Sequence, residues 1–474
     1  MRKLKTLSIM LVTLSMLLLS ACGGAGGTTE GAKQPEKQEA QSQGNEEKKE
    51  EIKKEEPSAV QEPEKKELSA FDMGGEPVKF MAWGGLPKEG ESNAGDERLK
   101  RKKEMEKKYN TKIEWIVVPW GEGQSKIAAG ALSGEAPADF VLMNMYLAFP
   151  SLAEKGYLRT VDDVFNFDDP KWPSSLRSSG AYKDKVYGVV ENIDSGAGMY
   201  YNRTMLKKLG LTDPHELVKK DEWNWDHFKE MTQKATQDLN GDGKIDQWGI
   251  VSYAPIFARQ AIYSNNGSIV ETKDDKLTFT MGEPNAMEAL RFVYDLFATD
   301  KVIMPNKNGS MADYEDTQAM FNTGKALFVT GEIWEAWGRK EMADEFGYVY
   351  FPKGPKGTDY TSPNPGMAMW FMPANVKKAK EKAQIYEDWI LWDKLKDNQR
   401  ESNESVFQTP EDVDVAMDIP TKNITLYHDG IGDVGKMYNE AIVSFTKGKD
   451  TPESAVEKMK KPAQNIIDSV VNTK

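Results

Sequence analysis

Three predicted strands alternate with two predicted helices between residues 78 and 143, and this order constrains the fold more than any other feature of the chain. The predicted strands are 78–83, 113–118 and 139–143, and the predicted helices are 97–109 and 125–132. This order is typical of a parallel sheet covered by helices. Ligands of such sheets bind at the edge where the strands end. We therefore expect Trp83 and Tyr146, which lie at two of these strand ends, at a ligand site.

Length and composition narrow the class of protein. Residues 76–474 exceed what one hydrophobic core usually serves, so we expect two lobes. Cys22 is the only cysteine, which excludes an internal disulfide and thiol catalysis elsewhere in the chain. The formal charge of −13 argues against binding nucleic acid or anionic lipid through bulk charge. The 12 Trp and 17 Tyr suit a sugar- or peptide-binding cleft, although core packing is the default explanation for any one of them.

Residues 1–21 have the pattern of a secretory signal peptide. A basic start is followed by an apolar run over 7–19 and by small residues, the three parts that such signals share. The run is shorter than the roughly 20 residues that a membrane-spanning helix needs. Export of the protein is the expectation.

The sequence Leu19-Ser20-Ala21-Cys22 resembles the lipobox of bacterial lipoproteins, in which the cysteine becomes the lipidated first residue of the mature protein. The alternative is an ordinary signal peptide followed by an incidental cysteine. Residues 22–75 are charged, rich in Gly, Gln, Pro and Ser, and without hydrophobic periodicity. That composition predicts a disordered tether, which would hold the folded part near the outer face of the membrane.

Residues 238–246 match the start of an EF-hand-type calcium loop, with Gly243 at the turn position. The match fails at position 12, where Gly249 replaces the expected Glu, so Gln247 or a water would complete the shell. A metal-free turn is the alternative. We expect structural Ca²⁺, held by the side chains of Asp238, Asn240, Asp242, Asp246 and Gln247 and by the carbonyl of Lys244.

An ordered set of short motifs runs through the chain from about residue 78 to its end. In order they are APADFV, KGYLRTVDD, YGVVEN, YYNRTMLKKLGL, WNWDHFKEMTQKAT, FNTGKALFVTG and FPKGP. Together they resemble the extracellular solute-binding proteins of the maltose-binding-protein-like family, which are receptors of ABC-type importers. The resemblance implies an α/β fold of two lobes, of the type II periplasmic-binding-protein kind, each with a mostly parallel sheet flanked by helices. The ligand cleft would lie at the hinge.

The same resemblance sets the expected domain boundaries. Lobe one takes residues 76–192 and 364–417, and lobe two takes 193–363 and 418–474. The family delivers an aromatic side chain to the cleft after the strand 325–330, where Trp334 and Trp337 stand; core packing is the alternative for each. Glu191 and Asp194 are expected near the hinge, and Trp370 in a hinge or cleft wall.

We expect a monomeric receptor that captures a carbohydrate and delivers it to a membrane permease. The carbohydrate is expected to be an oligosaccharide. Histidines 215, 227 and 428 are scattered, and no metal-ligating, nucleophilic or phosphate-binding motif accompanies them. We therefore expect no enzyme activity. Two alternatives stay open: a lipid-anchored glycoside hydrolase that uses Glu191 and Asp194, and a receptor for a peptide or another non-sugar solute.

Overall fold

The chain folds into two α/β lobes, each built on its own central sheet. The computed structural model describes residues 71–172, 180–191, 195–274, 276–363, 367–424, 426 and 428–470. The predicted signal peptide, Cys22 and most of the predicted tether lie outside this part of the chain. Within it, no helix has the length and apolar character needed to cross a bilayer.

The strands and helices are as follows. The strands are β1 Val78–Ala82, β2 Ile113–Val117, β3 Phe140–Asn144, β4 Ala181–Tyr182, β5 Lys185–Val186, β6 Gly188–Val189, β7 Ala197–Asn202, β8 Trp248–Val251, β9 Val270–Lys273, β10 Lys276–Phe279, β11 Ala326–Glu332, β12 Phe346–Val349, β13 Ser362–Pro363, β14 Ala368–Phe371 and β15 Asn423–Ile424. The α-helices are Asn93–Lys108, Glu122–Ser133, Met145–Ala148, Ser151–Glu154, Arg203–Lys208, Pro214–Lys219, Trp225–Ala235, Ala254–Ser264, Pro284–Ala298, Met311–Asn322, Ala379–Trp389, Leu395–Glu404, Pro410–Asp418, Val434–Thr446 and Pro452–Val470. Short 3₁₀ helices are Ile333–Arg339, Ile419–Lys422 and His428–Gly430.

Lobe one contains a five-stranded sheet in the order β2-β1-β3-β14-β6. The three predicted strands pair in parallel, β1 with both β2 and β3, and the two predicted helices are present. The helix Asn93–Lys108 begins where the Ser92 hydroxyl accepts a hydrogen bond from Gly95 N at 3.0 Å, a typical N-cap. β14 arrives from far along the chain and pairs antiparallel with β3 and β6.

Lobe two contains a four-stranded sheet in the order β12-β7-β11-β8. β8 and β11 are the parallel pair of this sheet, whereas β7 pairs antiparallel with both β11 and β12. The sheet is therefore mixed, whereas the sequence predicted a mostly parallel one. The physical reason is that β7 enters directly from lobe one without a crossover helix and so runs against its neighbours.

The chain returns to lobe two earlier than the sequence predicted. The helix Pro410–Asp418 was expected in lobe one, but Phe407 and Val413 are buried in a cluster with lobe-two residues such as Tyr348. Asp412 Oδ1 also accepts a hydrogen bond from Tyr348 N at 2.9 Å. This part of the chain therefore belongs to lobe two.

The predicted long helix over 377–397 is two helices. Ala379–Trp389 ends at Ile390, whose φ of −72° and ψ of 141° are extended, and Leu395–Glu404 follows. Ile390 and Leu391 are both buried, so tertiary packing interrupts the helix in a stretch that has neither Gly nor Pro.

Candidate ligand-binding cleft

The carboxyl ends of the central strands of both lobes meet the segments where the chain crosses between lobes. At the end of β3, Met145 N donates to Met367 O at 2.8 Å. At the end of β11, Ile333 N donates to Gly196 O at 3.1 Å. Because both strand ends adjoin crossing segments, the residues that follow them face each other across one cleft, which is where α/β sheets bind ligands.

Tyr146 lies on the lobe-one wall of this cleft, in the helix Met145–Ala148. Burial, with a smaller contribution from the charges of Asp429 and Glu332, raises the pKa of its hydroxyl to about 12, while the charge of Arg259 opposes this shift. Glu332 ends β11 in lobe two, and Arg259 lies on the lobe-two helix Ala254–Ser264. The structure therefore brings the predicted Tyr146 together with charged groups of the opposite lobe.

Trp334 and Trp337 lie on the lobe-two wall, in the 3₁₀ helix Ile333–Arg339. A 3₁₀ helix has three residues per turn, so these two side chains share one face. They are 40 % and 39 % exposed, which identifies both as surface rather than core residues. Trp334 Nε1 donates to Glu332 Oε2 at 3.0 Å, and this bond fixes the orientation of the indole.

The 3₁₀ helix is held by buried charges beneath it. Glu335 Oε1 accepts a hydrogen bond from Glu332 N at 2.8 Å, and Glu335 Oε2 lies 3.0 Å from Arg339 Nη2. Glu335 and Arg339 are 6 % and 2 % exposed. Because both residues are buried and paired, the segment that carries Trp334 and Trp337 is a rigid support for their rings.

Trp83 is half-buried just after β1, where the sequence predicted it. Its Nε1 is shielded from solvent and has no hydrogen-bond partner among the described residues. A buried indole N–H without a partner is uncommon and is often satisfied by a water or a ligand. Trp83 therefore remains a candidate ligand-binding residue.

Trp370 and Glu191 do not reach the cleft. Trp370 is 3 % exposed and packs edge-on against Phe80 and Trp115, with ring centroids 5.3 and 5.4 Å apart. Glu191 is 2 % exposed, and its charge together with burial raises the pKa of the core residue Tyr386. Both predicted site residues are thus part of the lobe-one core in this structure. The predicted Asp194 lies outside the described residues.

Several cleft residues were missed by the sequence analysis. Arg259 Nη1 lies 2.9 Å from Asp429 Oδ2, and the charges of both side chains act on the pKa of Tyr146. Nothing in the sequence around Arg259 signals this position, because the cleft forms only when distant segments meet. Glu332 is the last residue of β11, and Trp120 stands three residues after the end of the edge strand β2, so the rule that ligands bind at strand ends could have found them.

The predicted calcium loop is closed by its own hydrogen bonds. Asp238 accepts bonds from Gly241 N and Gly243 N, each at 2.7 Å, and these backbone bonds lower its pKa. Asp246 Oδ2 accepts a bond from Leu239 N at 3.0 Å. In the described part of the chain, no group of three or more His, Cys, Asp or Glu side chains is arranged to hold a metal. Each carboxylate oxygen has a second lone pair, so the residue types remain suitable for Ca²⁺.

The fold and the cleft define a two-lobed α/β protein of the class built like solute-binding proteins. The sequence profile of the bacterial extracellular solute-binding protein family matches residues 92–392, and the chain belongs to this family. The resemblance seen in the sequence is thereby confirmed, and so is the type II periplasmic-binding-protein-like fold.

Similar proteins bind maltodextrins and related sugars. The maltodextrin-binding protein MdxE of Bacillus subtilis is 23 % identical over 303 residues, which are 61 % of this chain and 64 % of that protein. The maltose/maltodextrin-binding domain MalE of Bdellovibrio bacteriovorus, solved with maltotriose, has a TM-score of 0.59 at 19 % identity and covers 84 % of this chain and all of its own. The GacH receptor of Streptomyces glaucescens, solved with acarbose, has a TM-score of 0.62 at 17 % identity and covers 83 % of this chain and 99 % of its own. At these identities the solved structures establish the fold.

Proposed function

We propose that this protein is the receptor of an ABC-type importer and captures a carbohydrate between its two lobes. The kind of carbohydrate that we expect is an oligosaccharide. The observation that carries the proposal is the pair of exposed, rigidly held indoles of Trp334 and Trp337 on one wall of the cleft, with Tyr146 on the other. Sugar-binding by the similar maltodextrin-binding proteins supports the same ligand class.

The chemistry of the cleft suits a sugar. Aromatic rings cover the apolar face of a pyranose, and a few polar groups fix its orientation. Glu332 and Asp429 would accept hydrogen bonds from sugar hydroxyls, and Arg259 would donate to them. Arg259 pairs with Asp429, and Glu332 carries the remaining negative charge, which hydrogen bonds from sugar hydroxyls would stabilise in the closed cleft.

The binding cycle follows from the two-lobed build. Closure of the lobes about the crossing segments would enclose the ligand, and the closed form, acting as a monomer, would present it to the permease. Export fits an extracellular solute-binding family. We propose further that Cys22 is lipidated, so that residues 22–75 tether the receptor to the outer face of the membrane.

We also propose that the loop at 238–246 takes Ca²⁺ as a structural ion. The support is the spacing of its oxygen-bearing side chains and the turn at Gly243, whose φ of 84° suits glycine. The ion would neutralise carboxylates that otherwise repel one another, and it would strengthen the link between the helix Trp225–Ala235 and β8.

Thermal unfolding of the full-length protein against glycans and peptides, with Ca²⁺ present, tests the proposed function. A ligand at 100 times its dissociation constant adds about 2.7 kcal/mol to the free energy of unfolding. We expect a higher Tm with one family of oligosaccharides and no breakdown of that glycan. Product release would instead indicate a hydrolase, and a Tm shift with peptides alone would replace the carbohydrate assignment.

A further inference from the structure

Trp120 is a large apolar side chain left in water. It is 58 % exposed, and Val117 and Pro119 next to it are exposed as well. A buried tryptophan removes about 150–250 Å² from water, which corresponds to several kcal/mol at about 25 cal/mol per Å². A ring that forgoes most of this stabilisation is a candidate contact for another molecule.

The ring of Trp120 is nevertheless fixed in place. Pro119 O accepts a hydrogen bond from Glu122 N at 3.2 Å, and Gly121 between them has φ 86° and ψ −15°. These are the values of the third residue of a type II turn, so Trp120 occupies the corner of a tight turn. Its Nε1 also donates to Asn144 Oδ1 at 2.8 Å. The indole face is therefore presented to solvent in one orientation, at little entropic cost to a ligand.

Two hydrogen bonds place this turn beside Tyr146. Trp120 binds the side chain of Asn144, which is 7 % exposed at the end of β3. Gln124, on the helix that follows the turn, donates from Nε2 to Leu147 O at 2.9 Å. Tyr146 stands between Asn144 and Leu147 in the chain, so the turn of Trp120 flanks the lobe-one wall of the cleft. Trp120 thus adds an aromatic ring to that wall, beside Tyr146.

We propose that Trp120 is a ligand-binding residue of lobe one, whose exposed indole face stacks on a pyranose ring of an oligosaccharide. This inference rests on the proposed function and deepens it. Stacking on a fixed indole favours a flat apolar ring face over a charged or flexible group. Because the ring lies beside Tyr146, on the flank of the wall, a ligand that contacts both rings must be longer than one that contacts Tyr146 alone. Trp120 therefore makes ligand length a determinant of affinity.

Calorimetric titration of the full-length protein with glucose, maltose and the linear maltodextrins up to maltohexaose tests this inference, with cellodextrins of the same lengths as a second series. Trp120→Ala should weaken binding of the longest bound oligosaccharide at least about 10-fold, which is about 1.4 kcal/mol. It should leave the shortest bound ligand within about twofold. Trp120→Phe should restore much of the loss. Leu132→Ala is the matched control, because Leu132 is 81 % exposed at the end of the helix Glu122–Ser133, which follows the turn of Trp120.

The outcomes separate the inference from the proposed function. If the wild type binds a glycan series and Trp120→Ala binds every length equally well, the inference is overturned and the function stands. An equal loss at every length also overturns it, since no separate ring site then exists. A variant that binds normally but fails in transport assigns Trp120 to permease contact instead. Absence of glycan binding by the wild type overturns the proposed function itself. Thermal unfolding of each variant checks that the fold is intact.

Discussion

The guanidinium of Arg203 meets the carboxylate of Asp412 inside lobe two, with Nη2 3.0 Å from both carboxylate oxygens. Asp412 is fully buried, and His215 Nε2 lies 2.9 Å from its Oδ1. Burial alone would raise the pKa of Asp412, but the bond to His215 and the charge of Arg203 hold it below the ordinary value. This pair links the helix Pro410–Asp418, which follows the return of the chain to lobe two, to the helix Arg203–Lys208 near the start of that lobe.

Replacement of Asp412 by Ala should therefore destabilise the protein strongly. The substitution removes the carboxylate that binds Arg203 Nη2 and leaves this buried side chain only the longer ion pair with Asp213, 3.7 Å from Nε. Breaking a buried ion pair costs about 3–5 kcal/mol. Asp414→Ala on the same helix is the control, because the Asp414–Arg400 pair is exposed and such pairs contribute about 0–1 kcal/mol. Urea unfolding measures both variants. A loss below about 1 kcal/mol for Asp412→Ala would contradict the role given to this pair.

Replacement of Trp334 by Ala should weaken ligand binding with little effect on the fold. The lost stacking and contact area correspond to about 1–3 kcal/mol, while the ring is too exposed to matter much for folding. Calorimetric titration with the glycan found by thermal unfolding measures the effect, and Trp334→Phe should recover part of it. Unchanged affinity would show that Trp334 lies outside the site.

His428 should make stability depend on pH. Its ring is fully buried, neither nitrogen has a hydrogen-bond partner among the described residues, and burial lowers its pKa from 6.5 to about 4. Between these values the unfolded chain binds a proton that the folded protein does not. The contribution of neutral His428 is therefore complete above pH 6.5 and falls by about 3 kcal/mol as the pH drops to 4.

The variant His428→Phe isolates this effect. Phe keeps the edge-on contact with Tyr438, whose ring centroid lies 5.3 Å away, but it does not titrate. Unfolding free energies measured from pH 4 to 7 should therefore fall less steeply with acid in this variant than in the wild type. His227→Gln, at a partly exposed histidine, is the control for removal of a histidine. Identical slopes for wild type and His428→Phe would refute the prediction.

Removal of Ca²⁺ should lower the Tm if the loop at 238–246 binds the ion. Chelation would leave Asp238, Asp242 and Asp246 without a cation to offset their charges. The double substitution of Asp238 and Asp242 by Asn should abolish the response to Ca²⁺, and Mg²⁺ serves as the ionic control. An unchanged Tm on chelation would contradict the proposal that the loop binds a structural Ca²⁺.

Lipidation at Cys22 predicts a change of location. Cys22→Ser should release the protein from the membrane fraction into the medium or the periplasm and should prevent labelling with a fatty-acid probe. Ligand binding should be unaffected, since the cleft residues lie far along the chain. Retention of Cys22→Ser in the membrane would show that another feature anchors the protein.

The sequence was most informative where a local pattern decides the structure. The alternation in β1 predicted a strand of lobe one well, because hydrophobic periodicity acts over a few residues. The following helix was predicted from residue 97 but begins at Asn93, since the cap at Ser92 was not used in the prediction. Trp334 and Trp337 are three residues apart in the sequence, and in the structure they share one face of a 3₁₀ helix.

The sequence was least informative where tertiary contacts decide. A tryptophan on a strand near the hinge has the same local pattern whether it faces a cleft or a core, so the position of Trp370 depended on Phe80 and Trp115. The lobe assignment of Asp412 depended on Arg203, 209 residues away. The cleft position of Arg259 depended in the same way on Asp429, 170 residues away.

The position of β14 also bears on the order in which the chain folds. β14 lies between β3 and β6 in the lobe-one sheet, yet residues 368–371 are synthesised after most of lobe two. Until they arrive, β3 has an unpaired edge of the kind that invites association with other chains. Lobe one is thus begun first and completed late. A nascent chain must remain unassociated through most of its synthesis and export, and such long-range pairing makes completion slow.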